Sequence, residues 1–304
     1  MDHDEEISRS AIVPDWVLEA SRNRRYGAAN ARGTLNLLDD AAAARAAACI
    51  VSGRTISLAR PVRADDFNTT PENPTFDHRS EYVESPDGLG WGLSHLRLDP
   101  HGLQNTHLDA LNHVAVGGTF YGGRYVNSRD QGGVDTLGDS GILARALYVD
   151  IPTLRGTAWA DRPVTGSDIE EALEGAGVRV EPGDALCVDM GRDRFEAHVG
   201  HLLGGPGTDE DAGGGLAESA ARWIADHPVS ILAWDMLDSR DAKEAHASAH
   251  ILGWAIGLPL VDNCDFARLR SEIGPGTRVA GALVLAPLAV PGANGVNLNP
   301  LILR

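Results

Sequence analysis

The stretch His101-Gly102-Leu103-Gln104-Asn105-Thr106-His107-Leu108-Asp109-Ala110-Leu111-Asn112-His113 gathers three histidines and an aspartate into thirteen residues. His107 and Asp109 are two apart, so on extended backbone both side chains leave the same face. An imidazole and a carboxylate converging in this way make a site for a first-row divalent ion, and the mixed N and O donors suit zinc or manganese. His101 and His113 share that parity, with Gly102 a point where the strand can break. The opposing reading is a set of surface or hydrogen-bonded histidines with no ion.

Outward from this stretch, ILARALYVDI (142–151), DALCVDM (184–190), VSILAWDML (229–237) and VAGALVLAP (279–287) read as buried strands. RTISLARPV (54–62) alternates like a further strand. Helices are expected over Leu38–Ser52, with Asp39 and Asp40 in the first turn and Gly53 as the stop, and over Leu216–Asp226. Another, Ser167–Gly175, is opened by Ser-Asp-Ile-Glu, a capping-box pattern. Asp241–Ile256 reads as a helix that puts His246 and His250 on one face, with Asp262 twelve residues beyond His250. That face is open to a second reading, as solvated surface with one core histidine. Residues 62–98, rich in Pro, Asp, Asn and Gly, read as long loops with short strands. The sum is one mixed α/β domain, 31–304, preceded by an N-terminal arm, 1–30, with a short helix near PDWVLEASRNR.

The 304 residues are 43% hydrophobic, enough for one substantial core. A formal charge of −17, with Lys243 the only lysine, argues against nucleic acid as a partner, because a negative surface repels phosphate. No apolar run approaches the roughly 20 residues that span a bilayer, and the acidic start MDHDEEISRS is unlike a signal peptide. A cytoplasmic protein follows as the expectation. Cys49, Cys187 and Cys264 are far apart and form no CxxC pair, so they read as reduced, apolar thiols.

Thr106–His113 resembles the core of the signature His-x-Gly-Thr-His-x-Asp-x-x-x-His of the cyclase family that includes bacterial kynurenine formamidases, isatin hydrolases and a dienelactone hydrolase. NRRYGAANARGTLNLL (23–38), VEPGDALCVDMGR (180–192), HILGWAIGLPLVDN (250–263) and APLAVPGANGVNLNPL (286–301) resemble further segments of its longer members, so the likeness covers about residues 22–304. The resemblance implies a swivelling β/β/α domain, assembled as a homodimer or homotetramer. It implies metal-dependent hydrolysis of a C–N or C–O bond in a small cyclic or aromatic amide, imide or lactone. By position, His107 and Asp109 would be metal ligands, and His113 a further ligand or the catalytic base. His250 and Asp262, where the family has Glu, would complete the pocket. The family's first histidine falls at Leu103 and its glycine at Asn105. His101 is expected to supply the missing imidazole through a shifted loop. Trp91, Phe120 and Tyr121, near the first cluster in sequence, could wall a flat ring or serve as ordinary packing. Two rival readings are a cyclase or dehydratase working with the same residues, and a binding protein without metal.

Overall fold

The computed structural model describes residues 13–23, 26, 31–64, 75–128, 132–138, 140, 141–175, 177–200, 214–240, 242, 246, 248–276 and 278–304. Its strands run in chain order as β1 (Thr55–Ser57), β2 (Phe76–Glu84), β3 (Gly90–Leu98), β4 (His107–Asp109), β5 (Thr119–Phe120), β6 (Arg124–Tyr125), β7 (Ile142–Asp150), β8 (Asp184–Asp189), β9 (Val229–Trp234), β10 (Leu260–Asp262), β11 (Val279–Leu285), β12 (Gly295–Asn297) and β13 (Leu301–Leu303). Nine of them form one mixed sheet, in the order β1-β13-β11-β7-β8-β9-β10-β4-β12. The middle four, β7 to β10, are parallel. Every other pair is antiparallel.

The apolar runs predicted to be buried strands become this parallel centre because both faces are covered. Ala146, Tyr148, Cys187 and Ala233 face one core; Leu147, Val149, Val188 and Trp234, at the alternate positions, face the other. A third cluster seats helix Asp15–Arg22 on helix Ile251–Ile256 through Val17, Ile251 and Trp254, so this part of the N-terminal arm is packed onto the domain. Much of the rest of the arm lies outside the described residues.

Several elements differ from expectation. The first long helix spans only Asp40–Ala48; Asp39 caps it by accepting from Ala42 N at 2.8 Å, and it ends at Cys49 rather than at Gly53. The capping box is Thr165 with Asp168, so that helix begins at Gly166. Residues 76–98 are not loops with short strands: β2 and β3 pair along nine residues each as a ribbon. Both faces of the ribbon are exposed, with Tyr82, Val83, Trp91, Leu93 and Leu96 on them. With no buried face, the period-two alternation that marks a strand is missing. Residues 65–74 lie outside the described residues. The helix expected over 241–256 is seen at Ile251–Ile256, and His246 has φ +50°, off the helical path. His246 and His250 therefore do not share a helix face. The three cysteines are free, and burial pushes the Cys187 thiol up to about 12. Among the described residues no helix is long and apolar enough to cross a membrane.

Candidate metal centre

The change from parallel to antiparallel pairing creates the site. β10 is parallel to β9 but antiparallel to β4, and the register sets His107 opposite Asp262 and Asp109 opposite Leu260. In open α/β sheets ligands collect at the carboxyl ends of parallel strands. Here Trp234 and Asp262 are the last residues of β9 and β10. A tight turn follows β4, closed by His113 N donating to Ala110 O at 3.0 Å, and it returns His113 to the same place.

Asp109 is the focus. Its side chain is 4% exposed, and four imidazole Nε2 atoms surround its carboxylate: His101 at 3.3 Å, His107 at 3.4 Å, His113 at 3.6 Å and His250 at 4.0 Å. Neither Asp109 oxygen accepts a hydrogen bond, although a buried carboxylate left so is costly. His101 and His113 stack with ring centroids 4.2 Å apart, and His107 stands edge-on to His101. Asp262 Oδ2 lies 3.1 Å from His250 Nε2 and 3.9 Å from His107 Nε2, and its Oδ1 accepts from Trp234 Nε1. Two sets therefore bring ligand atoms close enough for one ion, His101/Asp109/His113 and His107/Asp109/Asp262.

Two of the rings are fixed from behind. His107 Nδ1 donates to Asn105 O at 2.8 Å, and His250 Nδ1 pairs with Asp238 Oδ2 at 2.5 Å. Each tie leaves Nε2 turned to the site, which is how metal-binding and catalytic histidines are oriented. Burial pushes the Asp109 carboxyl up, but His107, His101, His113 and His250 outweigh it and hold it at about 2. Burial disfavours the charged form of His101 and His250. Asp109 reverses this and raises His101, while Asp238 and Asp262 raise His250 well above the usual imidazole range. Burial prevails at His113 and lowers it. The donor set, with its carboxylate free of hydrogen bonds, fits a divalent cation.

All six residues singled out from the sequence, His101, His107, Asp109, His113, His250 and Asp262, line one cavity of about 310 Å³ with Gly102, Leu103 and Leu237. His101 points inward. Leu103, at the position of the family's first histidine, packs into a core cluster. Trp91, Phe120 and Tyr121 are not walls of this cavity: Trp91 is exposed on the ribbon, and Tyr121 is buried in the core. Sequence reasoning missed Asp238, Trp234 and, next to the site, Arg192. Their signal is faint: polar or aromatic residues at the ends of buried strands.

Residues 55–239, over half of the chain, match the family described as Putative cyclase, and the chain belongs to that family. A solved structure described as a novel cyclase superposes with a TM-score of 0.79 at 22% identity, covering 97% of this chain and all of that one. Isatin hydrolase A of Ralstonia solanacearum gives 0.58 at 16% identity, over 82% of this chain and 90% of that one. An isatin hydrolase bound to the product analogue thioisatinate gives 0.56 at 15% identity, over 82% and 91%. These likenesses establish the shared mixed α/β fold. No curated protein matches significantly.

Proposed function

We propose that the protein is a cytoplasmic, metal-dependent hydrolase that opens a C–N or C–O bond in a small cyclic or aromatic amide, imide or lactone. The observation that carries this reading is Asp109, a buried carboxylate ringed by imidazole nitrogens and accepting no hydrogen bond. His107, Asp109 and His101 would hold the ion, meeting the three protein ligands typical of a catalytic site; His101 and His107 belong to the two different sets that share Asp109, so the ion would have to draw the two rings together on that carboxylate. A divalent ion there, zinc or manganese, supplies Lewis-acid polarisation of water and of a carbonyl.

The remaining steps belong to side chains. His113, part-exposed at the rim, takes a proton from the attacking water. Asp238 fixes His250 so that its Nε2 faces Asp262 and the cavity, where the pair can orient the water or protonate the leaving nitrogen or oxygen. A second hollow of about 470 Å³ adjoins through the shared His250; Val13, Val114, Val116 and Ile251 give it apolar walls. Such a hollow suits a flat apolar ring with its carbonyl turned toward the histidines. The isatin hydrolases among the structural relatives support the same class of substrate. Assembly as a homodimer or homotetramer belongs to this reading, with the exposed ribbon as the surface that supports it.

The test is a panel of formyl-aryl amides, cyclic imides and lactones, assayed with added zinc or manganese and after chelation, beside His107→Ala. Hydrolysis that needs metal and His107, with a product heavier by one water, is the expected outcome. Full activity after exhaustive chelation, with no metal by elemental analysis, removes the reading. A product that has gained no water instead marks a cyclase or dehydratase.

A further inference from the structure

We propose that Arg192 is a positioning residue of this centre: through the Leu103 carbonyl and Asn263 it holds the loop before β4 in the path that carries the His101 imidazole to Asp109. The inference rests on the metal-centre reading above and concerns how this chain builds that centre with a leucine at position 103.

Arg192 follows Gly191 (φ +82°) at the carboxyl end of β8 and opens helix Arg192–Val199. A cation there opposes the helix dipole, and this one is fully buried. Neither helix stability nor solvation explains it. Its hydrogen bonds do. Nη2 donates to Leu103 O, Nη1 to Asn263 Oδ1 at 2.6 Å and to Asp235 O at 3.2 Å, and Nε to Glu196 Oε1 at 2.7 Å. Asn263, the residue after Asp262, extends the grip: its Nδ2 donates to Gly102 O at 2.8 Å and to Asn105 O at 3.1 Å.

Between Leu98 and His107 the chain forms neither strand nor helix, so its carbonyls need other donors. Arg192 and Asn263 supply them at Gly102, Leu103 and Asn105, on both sides of the position where the family has its first histidine. Gly102 has φ +144°, a conformation side-chain-bearing residues rarely adopt. The loop thus turns at Gly102, is anchored at Leu103, and delivers His101 from the other side of the turn to 3.3 Å from Asp109. Lysine cannot replace this arginine, because one ammonium cannot reach Leu103, Asn263 and Glu196 together.

The test uses the full-length protein and cobalt(II) as the probe, its affinity measured by competition with a chromophoric chelator. Arg192→Lys is expected to weaken cobalt binding about 10- to 100-fold, the usual cost of losing a residue that orients a ligand. In a His101→Ala background the same change is expected to cost less than about threefold, because a residue acting through His101 has nothing left to act on. An equal loss in both backgrounds means general structural damage and overturns the proposal, as does wild-type affinity in a folded Arg192→Lys protein. Should Arg192→Lys fail to fold, Asn263→Gly carries the same cycle, since glycine accepts the φ of +55° at that position. The imidazole ¹⁵N spectrum of the metal-free protein gives a separate readout. If the wild type binds no cobalt, the metal reading fails, and the spectrum alone then decides this proposal. A His101 signal that moves in Arg192→Lys while that of His227, which stacks on Trp223 outside the cavity, stays in place supports it, and an unmoved His101 overturns it.

Discussion

Gly295→Ala tests the geometry of the centre with one methyl group. Gly295 sits on β12 opposite Asp109, and a Cβ there would meet His101 Nε2 at 2.4 Å, His101 Cε1 at 2.9 Å and Leu108 O at 3.1 Å. The position has no left-handed φ, so the clash with the ring is the main perturbation, beside a tight approach to the Leu108 carbonyl. Comfortable contact needs about 3.5 Å, so the ring must withdraw by roughly 1 Å. It cannot slide toward His113, stacked at 4.2 Å, without moving that ring too. The side chain is 30% exposed, so the expected retreat is toward solvent, at the expense of its approach to Asp109. Metal affinity should then fall by about 10- to 100-fold, or about 1.4 to 2.8 kcal/mol. Overpacking should lower stability by about 1 to 3 kcal/mol, which leaves a folded protein. Chelator competition for zinc or manganese, with thermal unfolding in parallel, measures both. A Gly295→Ala protein that binds metal like the wild type, while His101→Ala does not, would refute the placement of His101.

His250→Ala and Asp262→Ala should each lower turnover about 100-fold or more with the fold intact by circular dichroism; near-normal rates in both would return them to mere packing. Asp168→Ala should destabilise by about 1 to 3 kcal/mol in urea unfolding, since it removes a capping box and a two-point pair with Arg155. Burial pushes the Asp168 carboxyl up, but Arg155 and Thr165 outweigh it and hold it below its usual value. Its contribution is therefore full above about pH 4 and lost as pH falls through the lower folded value, so the gap between wild type and Asp168→Ala should shrink in acid. Trp91→Glu with Leu96→Glu should shift the proposed homo-oligomer toward monomer in light scattering at unchanged monomer stability; an unchanged mass would remove the ribbon as the proposed interface.

What could be read from the sequence followed burial. β7, β8, β9 and β11 are largely covered on both faces and appear as mostly apolar runs. The His107-x-Asp109 pair was legible because its chemistry depends on neighbours two apart on one strand. The ribbon was not, since exposure on both faces erases the pattern. Nor was the break at His246, a positive φ that no local residue type announces. Asp238 and Arg192 are the instructive omissions. Each acts across the fold, Asp238 on His250 twelve positions away and Arg192 on Leu103 eighty-nine positions away. No spacing rule within one element reaches that far.

The place of β4 in the sheet has a consequence for how the chain is made. β4 lies between β10 and β12, and those partners are roughly 150 and 190 residues downstream, so at about 5 to 20 residues per second β4 waits on the order of ten to thirty seconds of synthesis for its first neighbour. During that interval His107 and Asp109 have emerged, but Asp262 and Gly295 have not. The nascent chain then carries His101, His107, Asp109 and His113 on or beside an unpaired strand before His250 and Asp262 exist to close the pocket, so another strand or a loose ion can bind there wrongly. Completion of the pocket is therefore tied to one of the last pairings translation permits, and the proposed chemistry has to wait until the sheet is nearly closed.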